Sequence, residues 1–334
     1  MKKLKIIIVL LLIGASAFAQ SKVGTTAANF LSIPVGARAS GMGAAFVAVA
    51  NDVSAAYWNP GGLARLSKSE FSATYSEWLV GTKLNWFGIS VKMDENNTVA
   101  LSVNQLDYGE EEITTADQPM GTGQRWKASD ICFALSYSRN LTDRFSIGGT
   151  FKYIHQGIWN ESANAFAVDI GLIFQTQLPG LRIGMNIANF GTEMKLEGKD
   201  LLQTVDIDPA HTGNNKKISA NFDTDSWPLP LMYTVGLGMD FINTEDWIFT
   251  VATDAVYPNN QTSYINLGSE VTYNKMLSAR IGFNSLFKDS RQEGLTAGFG
   301  IHYDFGSFFA KVDYSYTDFG VFDKLSKISV SIGL

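Results

Sequence analysis

Residues 143–156 read DRFSIGGTFKYIHQ. Taken two at a time, this stretch splits cleanly. From Phe145 onward one phase holds Phe145, Ile147, Gly149, Phe151 and Tyr153, and the other holds Ser146, Thr150 and the one charge of that run, Lys152; Asp143 and Arg144 precede it at the turn. A period of two is the mark of an extended strand with two unlike faces. The same division recurs down the chain. Phe166, Val168, Ile170, Leu172 and Phe174 share a phase, as do Tyr233, Val235, Leu237, Met239 and Phe241, then Leu295, Ala297, Phe299, Ile301 and Tyr303, and finally Ile328, Val330, Ile332 and Leu334. The opposite phase carries Lys152, Asp169, Arg182, Asp240, Asp254, Glu270, Arg280, Asp304, Lys311, Asp313 and Lys327. A charge turned toward lipid costs about 2–4 kcal/mol at mid-bilayer. Segregation this strict, repeated over every strand, therefore points to hydrocarbon on one side and an aqueous bore on the other.

The pattern predicts fourteen antiparallel strands, at 71–78, 83–93, 97–106, 129–139, 143–156, 163–175, 180–190, 231–242, 246–256, 263–273, 277–285, 294–304, 307–317 and 325–334. Connections after even-numbered strands are short and made of turn residues, such as Asp94-Glu95-Asn96 and Asn274-Lys275-Met276. The two longest, 107–128 and 191–230, both follow odd-numbered strands. Short inner turns and long outer loops are the asymmetry of a transmembrane β-barrel. Tyr137, Phe145, Phe241, Trp247, Tyr273, Tyr303 and Phe308 fall near the inner rim as an aromatic girdle. If Tyr273 faces Leu277 across their turn, Glu270 faces Arg280 in the lumen as a cross-strand ion pair. The same reckoning sets Asp130 against Lys152.

Upstream, MKKLKIIIVLLLIGASAFAQ has a basic start (Lys2, Lys3, Lys5), an apolar run from Ile6 to Ile13 and an Ala17-Phe18-Ala19 cleavage site. Residues 1–19 thus read as a secretory signal peptide. No Cys follows the site, which argues against a lipid anchor. Without those lysines the chain has 23 basic against 32 acidic residues, a balance that excludes nucleic acid as a partner. A lone cysteine, Cys132, rules out an internal disulfide.

Residues 20–69 do not alternate. They are rich in Gly and Ala, and Asn51-Asp52-Val53-Ser54 is placed to cap a short helix from Ala55 to Trp58. Asn59-Pro60-Gly61-Gly62 reads as a sharp reversal. The expectation is an N-terminal hatch that plugs the barrel of residues 70–334. Phe46, Val47, Tyr57 and Trp58 of that hatch are candidates to line a hydrophobic pocket.

"ARASGMGAAFVAVANDVSAAYWNPGGLA" (37–64), followed by fourteen strands, resembles the PorV/PorQ family of outer-membrane proteins, itself similar to the FadL-type fatty acid transporters. The residues carrying the likeness are Gly41, Gly43, Asn59 and Pro60. The resemblance implies a 14-stranded barrel with an N-terminal hatch, integral to the outer membrane of a Bacteroidetes-like bacterium and in contact with its lipid. It further implies an interaction or shuttle role toward type IX secretion machinery or cargo. The alternative it implies is passive transport of a hydrophobic small molecule. For the first, the contact surface would be the long loop, with Trp227, Leu229 and Leu231 at its exit.

Enzyme chemistry finds no support. There is no G-x-S-x-G elbow and no H-E-x-x-H. Gly36 to Gly43 has phosphate-loop spacing, but Met42-Gly43 stands where Lys-Ser/Thr is needed. Asp206-x-Asp208 and Asp223-x-Asp225 lack the Gly and Glu of a calcium loop. No cofactor or metal is expected.

Overall fold

A computed structural model of the chain describes residues 23–208, 210–211, 217–288, 292–322 and 324–334. The signal peptide expected at 1–19 lies outside them. Fourteen strands form the wall: β1 (Glu70–Glu77), β2 (Lys83–Lys92), β3 (Asn97–Glu112), β4 (Arg125–Thr142), β5 (Phe145–Ile158), β6 (Glu161–Gln175), β7 (Leu181–Gly191), β8 (Met232–Asn243), β9 (Trp247–Pro258), β10 (Tyr264–Tyr273), β11 (Leu277–Leu286), β12 (Leu295–Asp304), β13 (Phe309–Asp318) and β14 (Lys324–Gly333). Each pairs antiparallel with its neighbours, and β1 pairs with β14 from Glu70↔Gly333 to Glu77↔Ser326. The sheet therefore closes on itself and leaves no edge. Leu334 N–H donates to the Ser69 carbonyl at 2.8 Å, tying the chain end to the start of β1.

The two phases of each strand part as the alternation requires. On β5, Ser146, Thr150, Lys152 and Ile154 are buried toward the bore, while Phe151 is 52% exposed on the outer face. Asp169, Asp254, Glu270, Arg280, Asp313 and Lys327 are all buried inward. At the inner rim Trp247 faces Tyr273 directly, ring centroids 4.6 Å apart.

Two register details differ from expectation. Asp130 does not face Lys152; it faces Gln156, and Lys152 faces Ala134. The cause is the turn. β4 runs on to Thr142 through an irregularity between Asn140 and Thr142, and Thr142 Oγ1 accepts the Arg144 and Phe145 N–H groups. The reversal thus falls later than 140–142. Lys152 finds its partner on the next strand, Asp169, at 2.6 Å. The expected loop 107–128 is also partly strand. After a register shift between Asp107 and Glu110, β3 and β4 continue as a two-stranded arm, with Glu110 opposite Lys127 and Glu112 opposite Arg125.

Among the described residues before β1 there are only short helical pieces: one turn at Asn29–Ser32, α1 (Ala37–Gly41), α2 (Ala55–Trp58) and a 3-10 segment at Pro60–Arg65. The hatch expected over 20–69 is not set apart as a distinct unit, because its polar groups are spent on the wall. Ala37 N–H donates to Ser329 Oγ (2.8 Å), Phe46 and Val47 N–H to Asp254 Oδ2 (2.7 and 3.0 Å), and Ala64 N–H to Ser138 Oγ (3.2 Å). Ser54 does not cap α2 with its side chain. Instead Asp52 Oδ1 accepts the Ser54 N–H, and Asn59 caps the following segment through the Gly61 N–H at 3.1 Å. Pro60 sits at that segment's first position, where its missing N–H costs nothing.

Candidate functional site

Glycine explains how the pre-barrel chain meets the wall. A Cβ on Gly41 would stand 3.0 Å from Gly298 Cα on β12, and one on Gly43 only 2.5 Å from the Phe283 nitrogen on β11. Gly43 also has φ +63°, a conformation L side chains rarely adopt. On the other side of the bore, Asn59 and Pro60 press on Gly148 and Gly171 of β5 and β6. Asn59 is fully buried, and its Nδ2 donates both to the Val47 carbonyl (2.8 Å) and to the Leu172 carbonyl of the wall (2.9 Å). Gly41, Gly43, Asn59 and Pro60 are thus two contact points on opposite walls, not one site.

The expected pair of Glu270 and Arg280 is in register, with Arg280 Nε 2.5 Å from Glu270 Oε2. It belongs to a larger array. Arg38 of α1 binds Glu270 through Nε (3.0 Å) and Nη2 (2.8 Å) and reaches Asp52 (3.1 Å), while Arg280 Nη1 reaches Asp313 (2.6 Å). Arg38 was hidden in the sequence, since a single arginine among small residues has no strand phase to place it. These side chains bound a polar cavity of about 360 Å³ on the inner side. His302 faces Lys311 as the turn implies, and packs edge-on against Phe309.

Higher in the bore is a small cavity of about 100 Å³. Val47, Tyr57 and Trp58 line it; Phe46 does not, being packed against Trp58 and beneath the Arg38 guanidinium. Tyr57 OH donates to the Leu31 and Ile33 carbonyls (2.9 and 2.8 Å), so its ring is fixed. Above this cavity, Phe30, Leu31, Leu106, Cys132, Ile154, Met194 and Leu229 form a close apolar layer.

A large apolar hollow lies on the outer side of that layer. It is a cleft of about 790 Å³ between the β3–β4 arm, the outer ends of β5 and β6, and the loop after β7. Tyr108 and Trp126 come from the arm, Ile158 from β5, and Met194, Leu196 and Trp227 from the loop. A two-residue ladder, Trp227↔Met194 and Ser226↔Lys195, holds the loop's two limbs together. The Pro228 carbonyl accepts the Ala27 N–H (3.0 Å), and the Pro230 carbonyl accepts Asn189 Nδ2 (3.0 Å). Of the loop residues singled out above, Trp227 is half exposed over the cleft, Leu229 is buried in the layer beneath, and Leu231 is half-buried at the start of β8. The polar rim is acidic. Asp130 accepts Tyr108 OH (2.8 Å), Asp223 pairs with Lys195 (2.5 Å), and Asp225 stands beside them. The Lys195 hydrogen bond holds Asp223 below the usual carboxylate range. Sequence alone could not find this cleft, because its walls come from segments far apart in the chain, from Ala27 to Trp227.

Among the described residues no group of three or more His, Cys, Asp or Glu is placed to hold a metal ion. Asp208 is bonded to His211 (2.9 Å).

The profile of a family described as "Type IX secretion system protein PorV" matches residues 16–209. Among solved structures, the chain is similar to a Pseudomonas aeruginosa FadL homologue, at 13% identity and TM-score 0.50, over 90% of this chain and 98% of that one. It is similar to the Pseudomonas putida toluene transporter TodX at 12% identity and TM-score 0.53, over 89% and 96%. The Ralstonia pickettii toluene transporter TbuX gives 13% identity and TM-score 0.52, over 89% and 97%. At such identities these likenesses establish the fold. No curated protein matches the sequence.

Proposed function

The chain belongs to the family of the type IX secretion system protein PorV, and from that premise we propose that this integral outer-membrane barrel captures hydrophobic small molecules in its outer cleft for passive transfer inward. The observation that carries the reading is the cleft itself. A hollow of about 790 Å³ walled by Trp126, Trp227, Ile158, Met194 and Leu196 is of ligand-binding size and chemistry. An apolar surface of this kind, left open, is a site in search of an occupant. In this reading residues 20–69 serve as the hatch. Leu31 belongs both to the layer under the cleft and to the lining of the small cavity below. A ligand passing Phe30 and Leu31 would next meet Val47, Tyr57 and Trp58.

A test uses the two tryptophans. Purified barrel in uncharged detergent is titrated with bromobenzene, a heavy-atom quencher with no charge. Saturable quenching is expected, and it should vanish in the Trp126→Phe/Trp227→Phe double variant. Quenching that stays linear, and equal in the two proteins, defeats the reading.

A second reading is favoured by the family description. Here the cleft receives a polypeptide, a secretion component or cargo. Only Trp227 of the loop exit is open to such a partner, since Leu229 is buried. Affinity capture from native outer membranes separates the two. Secretion proteins retained by the native barrel but lost with Trp227→Ala support partner docking.

A further inference from the structure

We infer that the outer cleft selects apolar molecules bearing a positive charge, protonated amines, over carboxylates with the same apolar body. This rests on the ligand-binding reading above and names the ligand class for it. Three aromatic rings line the cleft: Tyr108, Trp126 and Trp227. Aromatic faces attract cations through their quadrupole and offer nothing comparable to an anion. Every ionisable carboxyl or ammonium group lining the cleft among the described residues is a carboxylate: Asp130, Asp223 and Asp225. Lys195, between the lining residues Met194 and Leu196, is spent on Asp223. Lys127 of the arm sits opposite Glu110 and is not among the lining residues. A carboxylate ligand would have to shed water beside Asp130 and Asp225, with Lys195 already paired to Asp223 and no free guanidinium or ammonium in the lining to receive it.

The small cavity beneath points in the same direction by a separate route. Two buried oxygens line it without a donor, Asn186 Oδ1 and Asp254 Oδ1. The two lysines on its walls have partners of their own. Lys152 is held by Asp169 and Asn189, and Lys288 lies over the Tyr264 ring at 5.3 Å. These two oxygens would accept an N–H, which an amine carries and a carboxylate does not.

The experiment compares phenylbutylamine, phenylbutanol and phenylbutyrate at neutral pH, each displacing bromobenzene from the native barrel. The amine is expected to bind at least about ten-fold tighter than the carboxylate, with the alcohol between. Replacing the exposed Asp225→Asn should narrow the gap, and adding Asp130→Asn should close most of it. Equal or tighter binding of the carboxylate overturns the inference. If the alcohol binds and the amine gains nothing, the charge preference fails and the cleft remains a ligand site. If none of the three displaces the probe, both fail together.

Discussion

Replacing Glu270 by Leu is expected to destabilise the barrel by about 3–5 kcal/mol. Glu270 is 7% exposed and takes three donors, two from Arg38 and one from Arg280. Its removal leaves two guanidiniums facing each other with their shared counter-charge gone. Arg38 keeps Asp52 and Arg280 keeps Asp313, so the array loosens without vanishing. Glu270→Gln keeps the shape and part of the hydrogen bonding, and should cost clearly less. Adding Arg38→Met to the Glu270→Leu variant removes one stranded charge and should recover part of the loss. Unfolding by urea from lipid vesicles measures all three. If Glu270→Leu is neutral, the array does not hold α1 to β10 and β11.

The second large effect concerns the lipid face. Phe151→Arg, midway along β5 and stacked on Phe166 with centroids 5.8 Å apart, should cost about 2–4 kcal/mol. Phe145→Arg, at the inner end of the same strand, should cost roughly 1 kcal/mol or less, since the penalty falls toward the interface. The gradient is the informative part. A sheet packed against protein would penalise Phe151→Arg without any dependence on bilayer thickness. Here the cost should shrink in vesicles of shorter-chain lipid.

How far these features can be read from the chain depends on whether a residue has a face to be read. Glu270 and Arg280 are legible because a short turn, from Tyr273 to Leu277, sets the register and the pleat does the rest. Asp130 and Lys152 follow the same logic and fail, since β4 continues through an irregularity that moves the reversal. The β3–β4 arm beyond Asp107 is invisible for a different reason. Its β3 side is exposed from Tyr108 to Glu112 and shows no apolar alternation there, so Glu110-Glu111-Glu112 reads as loop. Gly41, Gly43, Asn59 and Pro60 stand out in sequence because close approach to a neighbouring backbone tolerates little else. Their separation onto opposite walls cannot be read there. The cleft is the least legible part. Trp126 and Trp227 lie far apart along the chain and meet only through the arm and the loop.

The central proposal is that residues 20–69 act as a hatch in the bore, which would make this barrel a binder at its outer mouth instead of an open pore. Ion conductance across a planar bilayer tests it most directly. Barrels inserted singly should be electrically silent, with porin-like open steps appearing only when the contacts at Asn59 and Gly43 are broken, as by Asn59→Leu with Gly43→Val. Steady open-channel current from the native barrel would contradict it.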